Sequence, residues 1–180
     1  MTGPALIPRL VIGLMALLAA QVAALGLDAA FPPDLSRAER SSPVALDRRG
    51  AWLRALPVEN GRWRIRADLA RTDPVFLARV VRIEDQHFGA HLGVDPFAVL
   101  RAAASALVHG HVSSGASTLT MQTARLLEPH PRSYLAKVVE MLRAVQLEAR
   151  FSKRQILALY LTLAPYGGNL EGVRAASLAY

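Results

Sequence analysis

Apolar positions fall into three regimes along the chain. From Leu10 to Leu27 the run LVIGLMALLAAQVAALGL holds a single polar residue, Gln21. From Val44 to Ile65 short strand-like runs predominate, and from Asp73 onwards apolar residues recur at helical spacing. The first regime predicts a membrane helix, since residues 10–27 at 1.5 Å each span about 27 Å, close to the ~30 Å hydrocarbon core of a bilayer. A cleaved secretory signal has a shorter apolar run and a small-residue cleavage site, and Asp28-Ala29-Ala30 makes a poor one. Residues 1–30 therefore read as a tip and an uncleaved anchor. Arg9 before the run and Asp28 after it favour a cytoplasmic N-terminus with the rest of the chain outside. Residues 31–43, with Pro32-Pro33 and Ser41-Ser42-Pro43, read as a linker, and 44–180 as the folded domain.

Within that domain, Trp52–Leu56 and Arg62–Ile65 flank Glu59-Asn60-Gly61, and the Asn-Gly pair predicts a small β-hairpin. The remainder is predicted helical. Asp73-Pro74 and Asp95-Pro96 each supply an N-cap and a proline suited to the first helical position. Ser117 or Thr118 caps a third helix running to about Glu128, where Pro129 and Pro131 end it. Ser133 opens a long helix to about Arg150, Ser152 and Gln155 form a capping-box pattern before Ile156–Leu163, and a last helix starts at Val173. Three helices carry a marked apolar face: Val75, Phe76, Val80 and Ile83; Phe97 and Leu100; and Leu135, Val138, Val139, Leu142 and Val145.

Composition narrows the function classes. With 52% apolar and 19% charged residues the chain is not generally disordered, and 180 residues allow one compact domain with a short extra. Lys and Arg exceed Asp and Glu by 21 − 14 = 7, which points to an anionic partner: nucleic acid, acidic lipid or a phosphorylated substrate. The basic residues are scattered, which argues against nucleic acid. The absence of cysteine removes disulfides, thiolate nucleophiles and Cys-ligated zinc.

Three places could carry chemistry. Glu84-Asp85 closes an apolar helix, and neighbours on a helix diverge by about 100°, so one carboxylate can face a cleft while the other caps or pairs locally. A carboxylate beside an apolar wall suits acid–base work, and the plainer alternative is a solvated helix end. His87 and His91 are four apart but lack the glutamate of zinc proteases between them, so a buried, hydrogen-bonded histidine is the better reading. The Gly115–Gln122 stretch leads into a helix whose free N–H groups can meet an anion. It is not a nucleophile elbow, and no S-x-x-K follows anywhere in the chain. Lys137 and Glu140 share a helix face, and the bland reading is a surface ion pair. Lys153 and Arg154 sit at a helix start, where the dipole disfavours cations, so a ligand is one use for their charge.

Taken together and in order, these segments resemble the peptidoglycan glycosyltransferase domain of class A penicillin-binding proteins, glycosyltransferase family 51. The pattern E-D-x-x-F-x-x-H-x-G matches Glu84, Asp85, Phe88, His91 and Gly93, and G-x-S-T-[IL]-T-x-Q matches Gly115 to Gln122. K-x-x-E matches Lys137 and Glu140; S-K-x-x-I-L-x-x-Y-L matches Ser152, Lys153, Ile156, Leu157, Tyr160 and Leu161; G-V-x-A-A-x-x-Y matches Gly172 to Tyr180. Three positions depart from the pattern: Ala136 stands where the family usually has Arg, Met121 replaces the commoner Gln, and Thr162 the commoner Asn. The chain stops inside the last motif and reads as a domain incomplete at its C-terminus.

The resemblance implies a mainly α-helical, lysozyme-like domain that polymerises lipid II outside the bacterial cytoplasmic membrane, with the lipid-linked glycan chain as donor and a second lipid II as acceptor. Glu84 matches the family's general base. Glu140 matches its second acidic residue and would orient Lys137, hold a cation or stabilise developing positive charge. Lys137, Arg125 and Lys153 would stabilise the departing diphosphate, with or without Mg2+ or another divalent cation, and no resident metal site is implied. Asp85, Thr118 and Gln122 would complete substrate binding. Other cell-wall synthesis proteins are the macromolecular partners expected. The rival readings are a lytic muramidase, which needs no diphosphate site, and an inactive membrane scaffold.

Overall fold

The computed structural model describes residues 28–109 and 117–180, together with the isolated positions 15 and 26. Two compact units make up the chain, Met1–Pro32 and Pro33–Tyr180. The anchor expected at residues 10–27 falls outside the described residues, and no helix among the described residues is long and apolar enough to cross a membrane. The second unit is mainly helical, with α1 Ser36–Glu39, α2 Pro74–Glu84, α3 Pro96–His109, α4 Leu119–Leu127, α5 Tyr134–Arg150, α6 Lys153–Leu163 and α7 Val173–Ala179. Strands β1 Val44–Leu46, β2 Trp52–Ala55, β3 Trp63–Arg64 and β4 Leu170–Glu171 form two small two-stranded sheets.

Helix starts follow from local chemistry. The side chains of Asp73, Thr118, Ser133 and Ser152 each accept a backbone N–H of the first turn, at Val75, Met121, Ala136 and Gln155 respectively. Asp95 accepts from both Phe97 and Ala98. The Ser152–Gln155 capping box is complete, with the Gln155 side chain returning to the Ser152 N–H.

Strand pairing differs from the expectation at the Asn-Gly turn. Asn60 does adopt a positive φ of 60°, but the strands on either side of it do not pair with each other. Instead β1 and β2 form the antiparallel hairpin, one turn earlier. There the Asp47 carboxylate collects the N–H groups of Arg49 and Ala51, which closes the bend locally. β3 pairs in parallel with β4, from the far end of the sequence.

α4 is the central helix. Its buried residues Leu119, Met121, Ala124 and Leu127 touch α5 on one side and α6 on the other. One core cluster joins Ala67, Phe88, Leu119, Ile156, Tyr160 and Leu161, with Phe76, Leu77, Val80 and Val81 of α2 against it. A second joins Ala38, Ala124, Leu127, Leu147 and Leu163. Ala38 brings part of the expected linker into the core. Arg37 fastens the same segment by donating to the Leu126 carbonyl at 2.8 Å and to Glu171 at 2.6 Å. Glu171 is 1% exposed and also pairs with Arg64 and Arg62.

The apolar faces of α3 and α5 are not the buried ones, and that of α2 is divided, with Phe76 and Val80 against the core and Val75 and Ile83 facing out. Ile83 is 80% exposed, Phe97 75% and Leu135 80%, and Val138, Val139, Leu142 and Val145 also look outward. The buried side of α5 is Glu140, Ala144 and Leu147.

Candidate active site

Glu84 is the last residue of α2, and Asp85 is its C-cap. Extended backbone at Asp85 sends the two carboxylates apart. Glu84 accepts a 3.0 Å hydrogen bond from Gln122 Nε2 on α4 and looks into a hollow of about 430 Å3, lined also by Phe76, Val80, Arg125, Tyr160 and Tyr166. Burial, reinforced by the Glu84 charge, pushes the Tyr160 hydroxyl up to about 12 and raises Tyr166 as well. Both phenols therefore keep their protons at neutral pH and remain hydrogen-bond donors beside the carboxylate.

Asp85 is enclosed by protein partners. It accepts the Leu119 N–H at 2.9 Å and pairs with His91 Nε2 at 3.0 and 3.1 Å. Gly93 donates its N–H to His91 Nδ1, which places the imidazole hydrogen on Nε2, facing Asp85. Gly93 itself has φ +93°, and a Cβ there would come within 2.6 Å of the Ala144 carbonyl oxygen. Only glycine lets this loop lie on the α5 backbone. Thr118 ties the same loop to α4 by donating to the Gly93 carbonyl.

A second hollow, of about 460 Å3, is lined by Arg125, Arg132, Ser133, Tyr134, Lys137 and Glu140. Lys137 Nζ donates to Glu140 Oε2 at 2.7 Å and to Ser117 Oγ at 2.5 Å, and Glu140 is only 5% exposed. The pair is thus partly buried, unlike the surface pair that spacing alone suggests. Arg125 borders both hollows, and neither it nor Arg132 has a hydrogen-bond or ion-pair partner among the described residues. Lys153 is more committed: it donates to Glu148 and to the His91 carbonyl, and lies 4.6 Å over the Phe88 ring.

A transglycosylase family model matches residues 50–180. The chain belongs to this family. It is 43% identical to penicillin-binding protein 1C of Escherichia coli over 159 residues, which cover 88% of this chain and 20% of that protein. It is 40% identical to penicillin-binding protein 1A of the same organism over 65% of this chain and 14% of the relative. Against the biosynthetic peptidoglycan transglycosylase of Pasteurella multocida it is 42% identical over 56% of this chain and 41% of the relative. The chain thus spans a fifth or less of the first two and under half of the third.

Of the residues singled out from sequence, Glu84, Gln122 and Arg125 come together at the first hollow, and Lys137, Glu140 and again Arg125 at the second. Asp85, Thr118 and Lys153 lie in the scaffold of this transglycosylase fold, bonded to its loops. Tyr160, Tyr166, Arg132 and His130 were not assigned a role by sequence reasoning. Tyr160 did carry a signal, because a phenol on a buried apolar helix face needs a polar partner. The donor set at Glu140 does not suit a divalent cation. Its two oxygens face nitrogens of Lys137 and His130, and the described residues contain no group of three His, Asp or Glu able to hold a metal.

Proposed function

We propose that this chain carries the peptidoglycan glycosyltransferase centre of a cell-wall polymerase, joining lipid II units with loss of polyprenyl diphosphate. The observation that carries the reading is Glu84, held by Gln122 at the mouth of a hollow that shares Arg125 with the Lys137–Glu140 pocket. A sugar hydroxyl is a weak nucleophile. Glu84 takes the proton of the acceptor's 4-hydroxyl as its oxygen attacks the donor's anomeric carbon, and the bond to diphosphate breaks on the opposite face, inverting the centre. A positioned carboxylate of this kind contributes about 10²–10⁴-fold. Negative charge collects on the departing diphosphate, where Arg125 and Lys137, with Arg132 beside them, offer donors and charge without having to be pulled from strong partners in the case of the two arginines. Tyr160 and Tyr166 line the same hollow beside the Glu84 carboxylate and keep their phenolic protons.

The substrate of this reaction is anionic and sits in lipid. The net charge of +7 and the outward apolar surface of α5 suit a domain working at a bilayer, on the extracytoplasmic side of the bacterial cytoplasmic membrane. A lytic enzyme would leave the Lys137, Arg125 and Arg132 cations without a use. The test is to incubate the 180-residue chain with lipid II in liposomes and resolve the products by gel. Glycan ladders with release of polyprenyl diphosphate are expected, whereas shortening of preformed glycan without consumption of lipid II would mark a lytic enzyme instead.

A further inference from the structure

His130 lies in the turn between α4 and α5, outside every motif that carries the family resemblance. Its Nδ1 is 2.7 Å from the Glu128 carbonyl oxygen. A carbonyl only accepts, so Nδ1 carries a hydrogen. Its Nε2 is shielded from solvent, has no aligned hydrogen-bond partner, and lies 3.3 Å from Glu140 Oε1. With one ring hydrogen fixed on Nδ1, Nε2 presents either a bare lone pair or a second N–H to a carboxylate. The lone pair repels Glu140 at this distance. The second N–H attracts it.

We propose that His130 is a positioning residue for the Lys137–Glu140 pair, protonated on both ring nitrogens and holding the Glu140 oxygen that Lys137 does not hold. Lys137 engages Oε2 and His130 faces Oε1, so the carboxylate is fixed at both ends and Lys137 stays aimed at Ser117 and the hollow. The charged groups around the imidazole are few. Glu128 spends its oxygens on the Asp34 N–H and on Arg143, while Glu140, Lys137, Arg125 and Arg132 belong to the hollow. With Ala136 in the place where an arginine is usual, His130 adds a positive charge behind the carboxylate and offsets its negative one. This consequence for ligand binding rests on the reading that the hollow takes the diphosphate.

The test has two independent arms on the 180-residue chain. Ring-nitrogen NMR at pH 6 should show His130 with hydrogens on both Nδ1 and Nε2, and the Nε2 hydrogen should be lost or exchange fast in Glu140→Gln. A neutral His130 in the unmodified chain overturns the proposal. In the second arm, binding of inorganic pyrophosphate is measured at pH 6. His130→Ala should bind about tenfold more weakly at pH 6, the order expected for losing one close ion pair at a partly screened site. His130→Gln, whose amide can place an N–H at the Nε2 position, should restore binding. Equal affinities in His130→Ala and the unmodified chain, or binding in His130→Gln as weak as in His130→Ala, overturn the proposal. If the NMR result holds and no variant, nor the unmodified chain, binds pyrophosphate, the diphosphate reading of the hollow is what fails, and the hold of His130 on Glu140 stands.

Discussion

The hollow at Glu84 and the knot at Asp85 start from adjacent residues. Glu84 is half-buried, has one hydrogen-bond donor from a flexible amide, and faces open volume. Asp85 is 8% exposed and holds a backbone N–H of α4 and a histidine whose other nitrogen is also occupied. The difference teaches how one short string of polar residues divides its labour. In the stretch from Glu84 to Gly93, Asp85, Phe88, His91 and Gly93 build a loop pressed on α4 and α5, while Glu84 faces the hollow it shares with Gln122 and Arg125. A single bend at the end of α2 separates the two fates.

Exchange of each carboxylate tests this division most strongly. Glu84→Gln should lower lipid II turnover by about 10²–10⁴-fold, with thermal unfolding unchanged. Asp85→Ala should do the reverse: it strands a buried imidazole and the Leu119 N–H and should cost about 3–5 kcal/mol in denaturant unfolding. A stable, normally folded Asp85→Ala chain would break the comparison. Gly93→Ala probes the same loop, where the added methyl meets the α5 backbone and a positive φ; a loss of about 1–3 kcal/mol is expected.

Acid provides a smaller handle on a third buried carboxylate. Burial alone would raise Glu171, but the hydrogen bonds and charge of Arg64 and Arg37 outweigh it and hold Glu171 below its ordinary 4.5. Its contribution is therefore present above pH 4.5 and lost as pH falls through the lower folded-state value. Melting temperatures across that window should fall in the unmodified chain and fall less in Glu171→Gln. The smallest effect is expected on the outward face of α5: Leu142→Gln, at a site 54% exposed, should change stability by no more than about 0.5 kcal/mol. A large loss there would show that the face is covered in solution.

The helix starts were legible because capping is settled within four residues, as at Asp73, Thr118 and Ser152. The Asn60-Gly61 turn was legible for the same reason, whereas its expected strand pairing was not. β3 finds its partner 107 residues away, and only the assembled core and the Glu171–Arg64 pair bring the two together. The apolar stripes were misleading in direction. Periodicity shows that a helix such as α5 has an apolar face, but not whether protein or lipid covers it, and here Glu140 and Ala144 went inward while Leu135 and Val138 went out. At the candidate site, Glu84, Lys137 and Glu140 were found through the spacing of family motifs, and Arg125 as a cation one turn past the Gly115–Gln122 motif. His130, Arg132 and Tyr166 lie outside those motifs, and their proximity depends on how the α4–α5 turn and the segment after α6 fold back.

The account stands on Glu84 acting on the reacting hydroxyl and not merely helping to hold substrate. Lipid II affinity and single-turnover rate, measured side by side for the unmodified chain and Glu84→Gln, separate the two. The expected result is affinity within about twofold and a rate lower by at least about a hundredfold. A variant that turns over bound lipid II at the normal rate, with any loss confined to affinity, would contradict it.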